Sequence, residues 1–224
     1  MNRYRQSIEI QQAFSDLAKH HQHKASMKPI IALDADGVLL DYHHAYGRVW
    51  AKAFGGMPML RDPHAYWPID RWDVKRLVGD ELAKFRDCFD HHYWASIPAI
   101  PGAINACHAL VAAGYELVCV SAIETRFQAA RAQNLRDCGF PIERVIATSN
   151  TSTDMSPKAI ALQEIQPAAF VDDFLPYLRG IPSNIHAALI LRETNGSPNR
   201  GEDLAWAHSQ HTDLAEFTTW WLNR

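Results

Sequence analysis

The chain reads as an α/β protein: a Rossmann-like doubly wound parallel sheet carrying a small helical cap insert. Three observations predict it. From Pro101 onward, short apolar runs alternate with amphipathic segments of helix length. Several of those runs end in polar or acidic residues, as buried parallel strands do where they enter a functional loop. Between the first run and the rest lies an aromatic-rich stretch, residues 42–94, that has helical spacing and no strand pattern.

Residues 4–19 place Ile10, Phe14 and Leu17 at helical spacing, which predicts an amphipathic helix. Pro29 then precedes the apolar run Ile30-Ile31-Ala32-Leu33, read as a strand ending in Asp34-Ala35-Asp36-Gly37. Residues 42–55 carry Tyr46, Val49, Trp50 and Ala53 on one helical face. Residues 80–90 repeat the pattern with Leu82, Phe85 and Phe89, with Asp80 expected as the N-cap. The Gly-, Pro- and aromatic-rich segment from Gly55 to Trp72 is expected to be irregular. Residues 42–94 are therefore assigned to a helical cap, and residues 1–41 and 95–224 to an α/β core.

Within the core, a helix runs from Pro101-Gly102 to Gly114, and the apolar strand Glu116–Val120 stops at Ser121. A helix with Phe127, Ala130, Leu135 and Cys138 follows, then a strand at Arg144–Ala147 and a helix from Pro157 to Ile165. The strand Ala168–Val171 ends at Asp172-Asp173, and a further strand covers Ala187–Leu191. The last helix carries Leu214, Phe217 and Trp221. Strands separated by helices of this length imply a parallel sheet with right-handed crossovers.

Bulk properties narrow the function. The 47% hydrophobic content is that of a globular chain, and 22 basic against 25 acidic residues leave a formal net charge of −3. That balance offers no basic footprint for a nucleic-acid polymer. No run of about 18 apolar residues predicts a membrane span, and the N-terminus lacks a signal-peptide core, so a cytoplasmic location is expected. Cys88, Cys107, Cys119 and Cys138 form no CxxC pair and are expected to be reduced thiols, mostly buried. The histidines at 20, 21 and 23 are read as a solvated linker, because consecutive histidines rarely converge on one ion.

In an open parallel sheet, ligands bind beyond the carboxyl ends of the strands. There the pattern collects Asp34, Asp36, Ser121, Asp172 and Asp173, with Lys158 at the start of the helix before the fourth strand. Carboxylates this close repel: one like-charged pair at about 4 Å costs on the order of 4 kcal/mol at an effective dielectric of 20. A divalent cation resolves that repulsion. An all-oxygen donor set without His or Cys favours a hard ion, and with a phosphate substrate it favours Mg²⁺. Lys158 and the Ser121 hydroxyl then supply donors for phosphate oxygens.

The run Asp34-Ala35-Asp36-Gly37-Val38-Leu39 resembles the first motif, DxDGV, of the haloacid dehalogenase superfamily. Val118-Cys119-Val120-Ser121 resembles the second motif, Lys158 the third-motif lysine, and Val171-Asp172-Asp173 the fourth; the match spans about 30–175. The resemblance implies a phosphatase in which Asp34 is the nucleophile and a magnesium ligand. It makes Asp36 the general acid and base, with its backbone carbonyl on the metal. Ser121 and Lys158 would hold the phosphoryl group, and Asp172 and Asp173 would complete the Mg²⁺ site. It also implies that the insert is the cap that selects the substrate.

DxDGVL, the Tyr93-Trp94…Pro101-Gly102-Ala103 stretch and the double aspartate resemble, more loosely, the 5′-deoxyribonucleotidases of that superfamily. The substrate implied is a small phosphorylated metabolite such as a nucleoside monophosphate. Tyr66, Trp67 and Trp72, in the irregular part of the insert, are the aromatics expected to face it. A phosphomutase would carry the same residues. A non-catalytic phospho-ligand binding protein is expected to lack at least one of them.

Overall fold

The chain is described by a computed structural model covering residues 28–149 and 155–224. The helix expected over 4–19 and the adjacent histidine-rich linker lie outside the described residues. The apolar run after Pro29 forms β1 (Ile30–Leu33). β2 (Glu116–Ser121), β3 (Arg144–Ala147), β4 (Ala169–Asp172), β5 (His186–Ile190) and β6 (Ser209–His211) follow in the chain. Among the described residues these make a sheet ordered β3-β2-β1-β4-β5-β6, parallel at every pairing. The chain order reverses at β1, which lies between β2 and β4. This is the switch point at which such sheets open a crevice.

Alternation along the strands divides the interior in two. Ile31, Leu33, Leu117, Cys119, Val145, Val171 and Ile190 point to one face, and Ala32, Val118, Val120, Phe170, Ala187 and Leu189 to the other. The first face is covered by α5 (Ala103–Ala112) and α8 (Leu214–Leu222), which bring Ala106, Leu110, Phe217 and Trp221. The second is covered by α7 (Ala159–Ile165) and the 3₁₀ turn Leu175–Leu178. α6 (Gln128–Cys138) crosses from β2 to β3.

The insert contributes α1 (Tyr42–Phe54), α2 (Pro68–Arg71), α3 (Gly79–Asp87) and α4 (His91–Trp94). Asp41 caps α1 by accepting from the His44 amide, and Asp90 caps α4 by accepting from the Tyr93 amide. Val49, Phe85 and Tyr93 of the insert belong to the same apolar cluster as Leu39, Ile97 and Leu33 of the core. Phe85 gathers Tyr46, Trp50, Phe54 and Phe89 around it at ring separations of 5.2–6.2 Å.

Three local expectations need correcting. Asp80 caps nothing: α3 begins at Gly79 after Val78, and Asp80 sits within the first turn, where its charge complements the helix dipole. Part of the segment read as irregular forms α2, started by Pro68 at the first helical position, where its missing N–H is no loss. β6, Ser-Gln-His, is a polar edge strand paired with β5 and has no apolar run to announce it. As expected, the four cysteines are free, with Cys107 and Cys119 buried and Cys88 and Cys138 half-buried. Among the described residues no helix is long and apolar enough to cross a membrane.

His186, at the start of β5, packs its ring against Trp220 and Trp221, and its Nε2 lies 2.8 Å from the Ser209 hydroxyl. Burial, helped by the nearby charge of Arg224, holds His186 down at about 4, against an ordinary 6.5. A histidine depressed in the folded state takes up its proton more readily when unfolded. Its contribution is therefore intact above about pH 6.5 and is lost as pH falls towards 4. The thermal midpoint should fall across that window, and His186→Gln should flatten the fall. An unchanged pH profile in the variant would show that the acid sensitivity lies elsewhere.

Candidate active site

The carboxyl ends of β1, β2 and β4 are level. Leu33 is in register with both Cys119 and Val171, so the residues just beyond meet at one edge. The Asp34 amide donates to the Val171 carbonyl at 2.9 Å, which fixes Asp34 one step past the strand and beside Asp172. The turn that follows is tight: the amides of Leu39 and Leu40 both donate to the Ala35 carbonyl, and the Gly37 amide donates to the Leu40 carbonyl.

Lys158 is the centre of the arrangement. It is fully buried, and its ammonium donates to Asp34 Oδ1 at 2.5 Å and to Asp172 Oδ2 at 2.6 Å. Burial alone would push Lys158 down, but Asp172 and Asp34 more than reverse this, so the ammonium keeps its proton. It also lies over the Tyr177 and Phe170 rings at 4.7 and 5.4 Å. Its amide is held by the Ser156 hydroxyl at 3.2 Å.

Asp172 and Asp173 are braced separately. The Phe174 amide donates to Asp172 Oδ1 at 2.9 Å, and the Asp173 carbonyl accepts from Asn199 Nδ2 at 2.7 Å and from the Tyr66 hydroxyl at 3.3 Å. Arg192 approaches Asp173 Oδ2 at 3.5 Å. Burial is the largest influence on both carboxyls and raises them; Asp34 adds to the rise, while Lys158 and Arg192 oppose it. Asp173 is pushed up to about 7.

Asp34, Asp172 and Asp173 each offer an oxygen within 4.8 Å of the others, and all three are buried. Three buried carboxylates this close, with an all-oxygen donor set, fit a hard divalent cation. The Asp36 side chain stands apart from this trio. Both its oxygens accept from Arg131 Nη2 at 2.8 Å. Burial raises the Asp36 carboxyl, and the Arg131 guanidinium opposes that rise. The Ser121 hydroxyl is buried at the end of β2 with no partner among the described residues, which leaves it available to a ligand oxygen.

Of these groups Asp34, Asp36, Ser121, Asp173 and Arg192 line a cavity of about 690 Å³. Its aromatic walls come from both parts of the chain. Tyr66 and Trp67 of the insert meet Phe174 of the core at ring separations of 6.4 and 6.1 Å, and Tyr177 packs on Phe174 at 4.8 Å. Of the three aromatics expected to face a ligand, Tyr66 and Trp67 line the cavity. Trp72 does not. It is buried inside the insert, its indole N–H donates to the His43 carbonyl at 2.9 Å, and its ring lies against Gly47. A strand-like turn after α2 points it inward, and its polar atom is satisfied there.

The sequence-level reading missed Arg131, His43, Phe174 and Arg192. None of the four carried a local signal: α6, which holds Arg131, shows no apolar stripe that would mark its buried face. His43 bridges the Tyr66 carbonyl at 2.7 Å and the Glu193 carboxylate at 3.5 Å, a long-range arrangement with no local pattern.

A family model described as "5′ nucleotidase, deoxy (Pyrimidine), cytosolic type C protein" matches residues 28–141, just over half of the chain. The chain belongs to that family. It is a haloacid-dehalogenase-type phosphatase, and its class of reaction is phosphoester hydrolysis. The match takes in Asp34, Asp36, the insert and Ser121.

Solved structures share the fold of this nucleotidase-family chain. A HAD family hydrolase from Deinococcus radiodurans R1, with bound phosphate and sodium, is 18% identical, covering 85% of this chain and 93% of that one with a TM-score of 0.56. A putative beta-phosphoglucomutase from Thermotoga maritima is 17% identical over 87% and 99%, with a TM-score of 0.54. CbbY from Rhodobacter sphaeroides, in complex with phosphate, is 16% identical over 85% and 96%, at 0.52. At these identities the likeness is one of fold. No curated protein sequence matches the chain.

Gly37 shows how little room the site leaves. Its φ is +94°, and a Cβ placed there would lie 2.0 Å from Asp173 Oδ2. Gly37→Ala should therefore destabilise the protein by more than about 1 kcal/mol in denaturant unfolding. It should also abolish any stabilisation by Mg²⁺, because Asp173 is displaced. A variant of wild-type stability that still gains stability from Mg²⁺ would contradict this packing.

Proposed function

We propose that this protein hydrolyses a nucleoside monophosphate in a Mg²⁺-dependent reaction that passes through a phosphoaspartyl intermediate on Asp34. The observation that carries the reading is Asp34 at an aromatic-walled cavity, tied to Asp172 by the buried Lys158 ammonium, in a chain of a nucleotidase family.

Asp34 attacks phosphorus with one carboxylate oxygen. The ester P–O bond breaks, and the leaving oxygen takes a proton from Asp36. A water molecule then attacks the same phosphorus and gives its proton to Asp36. The bond between phosphorus and Asp34 breaks, phosphate leaves, and both aspartates return to their starting forms. Lys158 and the Ser121 hydroxyl hold the phosphoryl oxygens, so that two anions are brought together with their charge offset. Asp34, Asp172, Asp173 and the Asp36 backbone carbonyl would hold Mg²⁺, which supplies charge neutralisation on the phosphoryl oxygens.

The insert, residues 42–94, acts as the cap, with 1–41 and 95–224 as the core. Tyr66 and Trp67 give the organic part of the substrate a flat apolar surface, and that chemistry suits a base. The small phosphorylated metabolite is the only partner the site requires. A cytoplasmic setting accords with the family's description.

Phosphate release measured over a panel of nucleotides, sugar phosphates and aryl phosphates tests this reading. Asp34→Asn should keep the fold and lose turnover by several orders of magnitude. Excess chelator should abolish activity, and Mg²⁺ should restore it and raise the melting temperature. Near-normal turnover in folded Asp34→Asn would overturn the nucleophile assignment, and full activity after verified metal removal would overturn the metal assignment.

Truncating Trp67, which is 41% exposed at the cavity wall, should weaken nucleotide binding by about 1–3 kcal/mol and leave acetyl phosphate turnover nearly unchanged. Equal losses on both substrates would remove Trp67 from the specificity role.

A further inference from the structure

Arg131 is fully buried on α6, a helix whose buried face also holds Ala130, Asn134 and Leu135. One of its nitrogens, Nη2, donates to both oxygens of Asp36 at 2.8 Å. Its guanidinium lies over the Trp94 ring at 5.1 Å. Nε and Nη1 are buried with no partner among the described residues. Leaving buried donors unpaired is unfavourable, and an apolar side chain of similar volume usually stabilises a fold more than a buried ion pair does. Fold stability alone therefore does not account for an arginine here.

The burial of the two partners differs in a way that assigns their parts. The Asp36 side chain is 23% exposed and lines the cavity, whereas the Arg131 side chain is 0% exposed and lies behind it. Arg131 therefore acts on the reaction through the carboxylate it holds, which stands between its guanidinium and the cavity.

We propose that Arg131 is a positioning residue that fixes the plane of the Asp36 carboxylate for proton transfer to the leaving oxygen. This rests on the general-acid reading of Asp36 given above. A carboxylate on a short side chain turns freely about its last bond unless both oxygens are held. Two donations from one nitrogen hold both, and the Trp94 ring and the helix fix the guanidinium itself. Transfer to the leaving oxygen needs the acid within hydrogen-bond reach and aligned, so a carboxylate free to turn spends most of its time misdirected. The effect is confined to the step in which a proton is given up. Esters whose leaving group needs no proton are indifferent to it.

The test is single-turnover phosphorylation by para-nitrophenyl phosphate, phenyl phosphate and an alkyl phosphate, with saturating Mg²⁺. It compares the unmodified protein with Arg131→Met, Asp36→Asn and the double variant. Arg131→Met should lose about 10- to 100-fold on the alkyl phosphate and about twofold or less on the nitrophenyl ester, with KM unchanged. The double variant should be no slower than Asp36→Asn alone. A uniform loss across the series, or losses that multiply in the double variant, would overturn the positioning role. Leaving-group dependence in Asp36→Asn but not in Arg131→Met overturns that role alone. Its absence from both variants overturns the acid assignment of Asp36, and the positioning role with it. Should Arg131→Met fail to fold, Arg131→Lys keeps the buried charge with a differently shaped head and is read on the same series. A loss confined to poor leaving groups supports the role, and a uniform loss or none overturns it.

Discussion

The site depends on one buried cation. Lys158 bonds at once to Asp34, just past β1, and to Asp172, the last residue of β4, so the ammonium ties together two strand ends whose acids would otherwise drive apart. Without it, Asp34, Asp172 and Asp173 would stand as three buried carboxylates with no cation between them. Backbone pairing brings the strand ends level, and the lysine makes that level edge tolerable to charge. The hydrogen bonds to Asn199, Phe174 and Tyr66 then hold the acidic loop against β1.

The insert and the core are joined by two kinds of contact. Apolar packing runs without a break from Leu33 through Leu39 and Ile97 to Tyr93 and Phe85. A polar seam closes the other side, where the Tyr66 amide donates to the Asn195 carbonyl, Asn195 Nδ2 reaches Asp62, and Glu193 lies within 3.5 Å of both His43 and Arg71. The aromatic wall formed by Tyr66, Trp67 and Phe174 stands on this seam. Residues far apart in the chain thus set the shape of the space above the acids.

Much of the fold was legible in the sequence because its strands are short, apolar and bounded by turn residues, and because parallel strands leave their chemistry at one end. Asp34, Asp36, Ser121, Lys158 and Asp172-Asp173 could be placed at one edge for that reason. What could not be read is what depends on long-range partners. Arg131 meets Asp36 from 95 positions away, and α6 shows no apolar stripe to make its buried face stand out. Trp72 looked free because its neighbours in sequence are irregular, yet it finds His43 across the insert. Asp80 has the right residue type for a cap, but the chain turns one residue earlier, at Gly79. β6 is polar along its whole length, and only its pairing with β5 makes it a strand.

The alternation in β1 has a consequence for which changes this chain can absorb. Ile31 and Leu33 serve one face and Ala32 the other, and Asp34 emerges in step with them. Exchange of one aliphatic residue for another leaves that count intact and costs only packing. Loss or gain of a single residue between Pro29 and Asp34 reverses the side on which every following group emerges. It would send the acid away from Lys158 while leaving the composition of the strand almost unchanged. Divergent copies of this strand should therefore vary freely in spelling and hardly at all in length.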